Sequence, residues 1–109
     1  MPRISEDVLL NISASLLKSS GASNEEATIV SEHCIDANLA GHDSHGIIQI
    51  PTYIERIEMG HIIPGAPFEI VKSSDTTTVI DGNWGFGYLV SKRAMEITIE
   101  KAKNQNLIP

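Results

Sequence analysis

One cysteine, Cys34, is all the thiol chemistry that these 109 residues carry. It has no partner for an internal bridge, which excludes a disulfide scaffold and fits a reducing compartment. Positive charge is also scarce. Eight Lys+Arg stand against 14 Asp+Glu, a formal net charge of -6. Arg3, Lys18, Arg56 and Lys72 are dispersed, and the later group Lys92, Arg93, Lys101 and Lys103 has Glu96 and Glu100 among it. Without a basic stripe, phosphate-driven binding to nucleic acid and adsorption to an anionic membrane are both disfavoured. No stretch approaches the ~20 apolar residues of a bilayer span. The opening Met1-Pro2-Arg3-Ile4-Ser5-Glu6-Asp7 turns acidic where a secretory signal would turn apolar. A cytoplasmic protein is expected. Internal repeats and low-complexity tracts are missing as well.

What is present is ordinary globular material, 41% hydrophobic and 20% charged, in a length suited to at most one domain. Val8, Leu9, Ile12, Leu16 and Leu17 recur at helical spacing behind the capping candidate Ser5, with Glu6 and Asp7 in the first turn and Gly21 as the stop. Ser23-Asn24-Glu25-Glu26 has the form of a capping box and opens a second helix, whose apolar stripe is Ala27, Val30, Cys34, Ala37 and Leu39. The short connection predicts a helical hairpin. Ile47, Ile50, Ile54 and Ile57 mark a third helix before Gly60. Pro51 belongs near its start, because proline costs ~3 kcal/mol in a helix interior, and it should hold Ile50 away from the helical region. That leaves His42-Asp43-Ser44-His45-Gly46 as a loop between helices.

After Gly60 the pattern changes. Phe68, Ile70 and Val71 suggest a strand, Ser73-Ser74-Asp75 a turn, and Thr76 to Ile80 a second, β-branched strand. A glycine-rich loop, Gly82 to Gly87, leads into a last helix from about Tyr88 to Lys103. The fold class is α+β: N-terminal helices, a β-hairpin and a further helix. Residues 1–60 form a helical segment, and residues 61–109 begin a mixed α/β region. Leu107-Ile108-Pro109 reads as the start of another strand, and a two-stranded hairpin alone is marginal in water. A front portion of a longer protein is therefore expected.

The cluster at residues 42–46 concentrates the chemistry. Histidine titrates near neutrality and is the usual general acid or base. The plainer alternative is that Asp43 or Ser44 caps the next helix and the histidines are surface residues. A serine hydrolase is disfavoured, because adjacent residues rarely reach triad geometry and no G-x-S-x-G elbow is present. A metal site built from His42 and His45 with His33, Cys34 or His61 lacks a second strong ligand pair. A lone acid/base histidine oriented by Ser44 or Asp43 suits proton movement at a hydroxyl or carbonyl. Gly82, Gly85 and Gly87 run G-x-x-G-x-G, the wrong order for a dinucleotide fingerprint, and no acidic residue stands ~20 positions on. They more readily permit a tight turn, with Trp84 and Phe86 filling a core or meeting a partner. Arg56 could bind a carboxylate or lie on a solvated face with Glu55 and Glu58.

The segment Gly41-His42-Asp43-Ser44-His45-Gly46-Ile47, with Pro51, Tyr53, Gly60, Asp81-Gly82, Gly85-Phe86-Gly87, Ala94-Met95 and Glu100-Lys101-Ala102, resembles the malate/L-lactate dehydrogenase family, the group unrelated to Rossmann-type lactate dehydrogenases. The similarity spans nearly the whole chain. It implies the front part of that non-Rossmann fold and transfer of hydride between NAD or NADP and a 2-hydroxy acid such as malate or lactate. Ser44 and His45 match the family's serine–histidine pair, in which the histidine exchanges a proton with the substrate oxygen. Many members carry arginine where this chain has Gln49, so Gln49 and Arg56 become the substrate-binding candidates. Cofactor-binding residues are not assigned, and no metal is implied. The resemblance also implies a homodimer in the complete protein. The alternative to an enzyme is a truncated, inactive module that acts structurally or by interaction.

Overall fold

The computed structural model describes residues 3–105. Four α-helices and one β-hairpin follow in the order α1 (Glu6–Ser19), α2 (Asn24–Leu39), α3 (Ile50–Glu58), β1 (Glu69–Ser73), β2 (Thr78–Asp81) and α4 (Gly87–Asn104). Two single 3₁₀ turns, Asp43–His45 and Ile47–Gln49, bridge α2 and α3. This is the α+β arrangement expected. The strand anticipated at Leu107 to Pro109 lies outside the described residues.

Helix starts follow from local chemistry. The Ser5 hydroxyl accepts from the Val8 amide at 3.4 Å. At α2 the capping box is complete: the Ser23 hydroxyl accepts from the Glu26 amide at 3.1 Å, and Glu26 Oε1 accepts from the Ser23 amide at 2.9 Å. Pro51 sits in the first turn of α3, where its missing amide costs nothing. Ile50, however, is helical at φ -57 and ψ -48. The preference against helix before proline yields here because Ile50 is only 2% exposed and anchored in the core.

The core gathers Leu17 from α1, Val30 and Cys34 from α2, Ile50 at the head of α3, and Phe86 and Leu89 at the head of α4. Each large aliphatic buried there is worth about 1.5–3 kcal/mol. The α1 stripe divides. Ser13 and Leu17, one turn apart, are buried, whereas Val8, Ile12 and Leu16 stay roughly half exposed. Those three each precede the buried line by one position, a rotation of about 100° around the helix. Leu39, expected in the α2 stripe, is also exposed.

Two long-range ties fasten the second half to the first. Glu26 is 4% exposed, and its carboxylate accepts from the Gly65 amide at 2.9 and 3.1 Å while serving the capping box. Arg93 pairs with Glu25 at 3.3 Å. The hairpin is antiparallel, with Ile70 opposite Ile80 and a bulge between Ile70 and Lys72. Lys101 of α4 holds its turn, donating to Ser73 Oγ at 2.7 Å, Thr77 O at 2.9 Å and Ser74 O. Ile70, Val71 and Val79 remain exposed. Among the described residues no helix is long and apolar enough to cross a membrane.

Candidate active site

The Ser44–His45 pair stands on the connection between α2 and α3. Gly41 takes a left-handed φ of +86 just beyond α2 and turns the chain out of the helix. The first 3₁₀ turn then presents Ser44 and His45 to solvent. Ser44 Oγ lies 3.0 Å from His45 Nδ1. That contact occupies one ring nitrogen and leaves Nε2 as the atom available to a second molecule.

Asn38, in the last turn of α2, braces this connection from both sides. Its Nδ2 donates to Asp43 Oδ1 at 2.9 Å, and its Oδ1 accepts from the Ile47 amide at 2.8 Å. Gly46 closes over the same amide group. A Cβ there would fall 2.2 Å from Asn38 Oδ1, so the glycine answers to close approach. Gln49 adds a third tie, its Nε2 donating to the Ser44 carbonyl at 2.8 Å. Asp43 is thus held by Asn38, and the Gln49 amide nitrogen by the backbone it supports. Sequence reasoning passed over Asn38. The available signal was a weak helix former placed beside a helix stop and just ahead of a glycine-flanked polar run.

Arg56 lies elsewhere. It lines a cleft of about 490 Å³ between α2, α3 and α4 with Val30, Tyr53, Ile62, Phe86, Tyr88 and others, a lining that does not include Ser44, His45 or Gln49. Arg93 with Glu25 is the only ion pair among the described residues, so Arg56 has no carboxylate partner among them. Tyr53 donates to Tyr88 at 3.3 Å. Burial, and then that hydrogen bond, push the Tyr53 phenol above its ordinary range. His33, once a candidate metal ligand, stacks on Tyr88 at 4.4 Å. Among the described residues no three His, Cys, Asp or Glu side chains converge as a metal site would require.

Two glycines of the glycine-rich loop answer to close packing. A Cβ at Gly82 would meet Val90 Cγ2 at 2.9 Å, and one at Gly85 would meet the Gly82 carbonyl at 3.2 Å. Both glycines serve the packing of the loop on itself and on α4, not an open phosphate cradle. Phe86 enters the core while Trp84 is 77% exposed. Asn83 and Trp84 both adopt positive φ, and the Asn83 amide bonds to Pro67 O at 2.7 Å and Glu69 Oε1 at 3.1 Å support that geometry.

The helical frame thus presents an exposed serine–histidine pair on the connection between α2 and α3. Comparison with known proteins gives the lineage. The malate/L-lactate dehydrogenase family profile matches residues 4–107, and the chain belongs to that family. It is 46% identical over 89 residues to an L-sulfolactate dehydrogenase of Methanocaldococcus jannaschii, covering 82% of this chain and 26% of that protein. It is 34% identical to hydroxycarboxylate dehydrogenase B of Escherichia coli K12, covering 96% of this chain and 29% of that one. The solved malate dehydrogenase of Pyrococcus horikoshii superposes with a TM-score of 0.91 at 29% identity, over 94% of this chain and 30% of that structure. The chain thus spans less than a third of the length of these relatives.

Proposed function

We propose that the chain is the front portion of an oxidoreductase that interconverts a 2-hydroxy acid, such as malate or lactate, and its 2-oxo acid. The observation that carries this reading is the 3.0 Å Ser44–His45 contact, set in the segment that matches the family. With Nδ1–H donating to the Ser44 hydroxyl, Nε2 is a bare acceptor aimed away from the pair. It takes the C2 hydroxyl proton during oxidation and returns it to the carbonyl oxygen during reduction. Ser44 keeps the same bond in both states, because imidazole and imidazolium both retain the Nδ1 proton. A nicotinamide, NAD or NADP, would supply the hydride acceptor when bound, and no residue of this chain is assigned to it. Arg56 offers a guanidinium for an anionic substrate group, and Gln49 adds a neutral amide beside Ser44.

The reading includes a homodimer and a cytoplasmic location. The half-exposed Val8, Ile12 and Leu16 of α1 offer apolar surface for such an association. The test is NADH and NADPH oxidation by the full-length protein against a panel of 2-oxo acids, wild type beside His45→Ala. Loss of a positioned general acid lowers turnover by about 10²–10⁴-fold. Turnover at the wild-type level in His45→Ala removes the histidine from the reaction. No turnover with any 2-oxo acid in the wild type supports the inactive module instead.

A further inference from the structure

We infer that Asn38 is a positioning residue for the reaction, setting the place of the His45 ring through the turn it spans. The inference rests on the reading above, in which His45 moves the substrate proton. Three observations support it. Asn38 bonds both flanks of the pair, Asp43 on one side and the Ile47 amide on the other. Gly46 leaves no space beside the Asn38 amide, so the side chain has a single seat. Asn38 itself belongs to α2, whose Val30 and Cys34 are fixed in the core. The catalytic turn is otherwise exposed and has no buried side chain of its own. Its registry with the rest of the protein therefore leans on hydrogen bonds to α2: the His42 amide donates to the Ala37 carbonyl at 2.8 Å, and Asn38 supplies the two side-chain bonds, at 2.9 and 2.8 Å.

A carboxamide is the group this place demands. The Ile47 amide needs an acceptor and the Asp43 carboxylate needs a donor, and one planar amide presents both on opposite atoms. Aspartate would bring a second carboxylate against Asp43, and leucine would leave the Ile47 amide without a partner. Asp43 gains a role from the same geometry: it anchors Asn38.

The experiment uses the full-length enzyme with its best 2-oxo acid. Asn38→Ala is expected to lower kcat by about 30–100-fold, the effect of an ångström-scale displacement of a catalytic group, with KM changed less than about threefold. Asp43→Ala, at an exposed position that does not endanger folding, is expected to lower kcat by about 3–10-fold, and Asp43→Asn, which restores an acceptor for Asn38, to recover most of the loss. Leu17→Ala is the comparison: Leu17 lies on α1 and makes no hydrogen bond to the turn, so opening the core there lowers thermal stability while kcat, measured well below its melting transition, stays near wild type. Wild-type kcat in Asn38→Ala, or Asp43→Asn as poor as Asp43→Ala, overturns the inference. If Asn38→Ala does not fold, the two Asp43 variants decide. His45→Ala run alongside separates the two claims: turnover surviving there defeats the proposed function, whereas its loss together with full activity in Asn38→Ala defeats only the positioning role.

Discussion

Adding one methyl group at Gly46 should disable the turn, and the size of the effect can be worked from the contacts. The new Cβ would lie 2.2 Å from Asn38 Oδ1, 2.4 Å from Cγ and 2.5 Å from Nδ2. Ordinary contact requires about 3.5 Å, so the amide must retreat by about 1 Å. Its 2.8 Å bond to the Ile47 amide and its 2.9 Å bond to Asp43 cannot both survive that movement. An unsatisfied, partly buried amide costs about 1–3 kcal/mol, and an exposed hydrogen bond about 0.5–1.5 kcal/mol. Gly46→Ala should therefore lose about 2–4 kcal/mol by denaturant unfolding, and kcat should fall with it. Gly87 is the internal comparison. It opens α4, and a Cβ there meets nothing within 4 Å, so Gly87→Ala should be neutral or stabilise by up to about 1 kcal/mol. Equal stability of the two variants would refute the argument.

Other outcomes follow from buried groups. Glu26→Ala strips the Ser23 and Gly65 amides of their acceptor and should cost about 3–5 kcal/mol by chemical denaturation, while Glu26→Gln, which keeps one oxygen where Oε1 serves both amides, should cost about 1–2 kcal/mol. A loss under about 0.5 kcal/mol in Glu26→Ala would show that Gly65 finds another partner. Burial pushes the Cys34 thiol from 9.0 up to about 11, so at neutral pH it should resist thiol reagents until the protein unfolds. Because the folded value is raised, the stability tied to the neutral thiol is complete below pH 9.0 and is lost as pH rises toward about 11. Over that window wild type should lose about 2–3 kcal/mol more than Cys34→Ala, read from the unfolding midpoint.

Local chemistry made much of this fold legible. Ser5, Ser23 with Glu26, and Pro51 act over at most one turn, so their meaning is contained in a few neighbouring residues, and each helix begins where they place it. The β-branched run before Asp81 marked a strand for the same reason. Burial was harder to read. Val8, Ile12 and Leu16 satisfy helical periodicity as well as Leu17 does, yet only Leu17 goes inside. Periodicity reports that a face exists, not how wide a neighbour covers it. The ties that lock the halves together were invisible: Glu26 meets Gly65 across 39 positions and Arg93 meets Glu25 across 68.

The site divides along the same line. Ser44 and His45 are adjacent, so a contact between them was within reach of sequence reasoning. What holds them is not adjacent. Asn38 reaches Ile47 over nine positions, and that bond exists only because the chain reverses at Gly41 and returns past the end of α2. Gln49 illustrates the consequence. The family resemblance makes it a substrate-binding candidate, and in the structure its nitrogen also engages the Ser44 carbonyl. A positively charged side chain at that place would repel no anion, yet a neutral amide can brace the turn without leaving an unpaired charge when the site is empty. The turn that carries the pair is tied by three amide groups: those of Asn38, Gln49 and the Ile47 backbone.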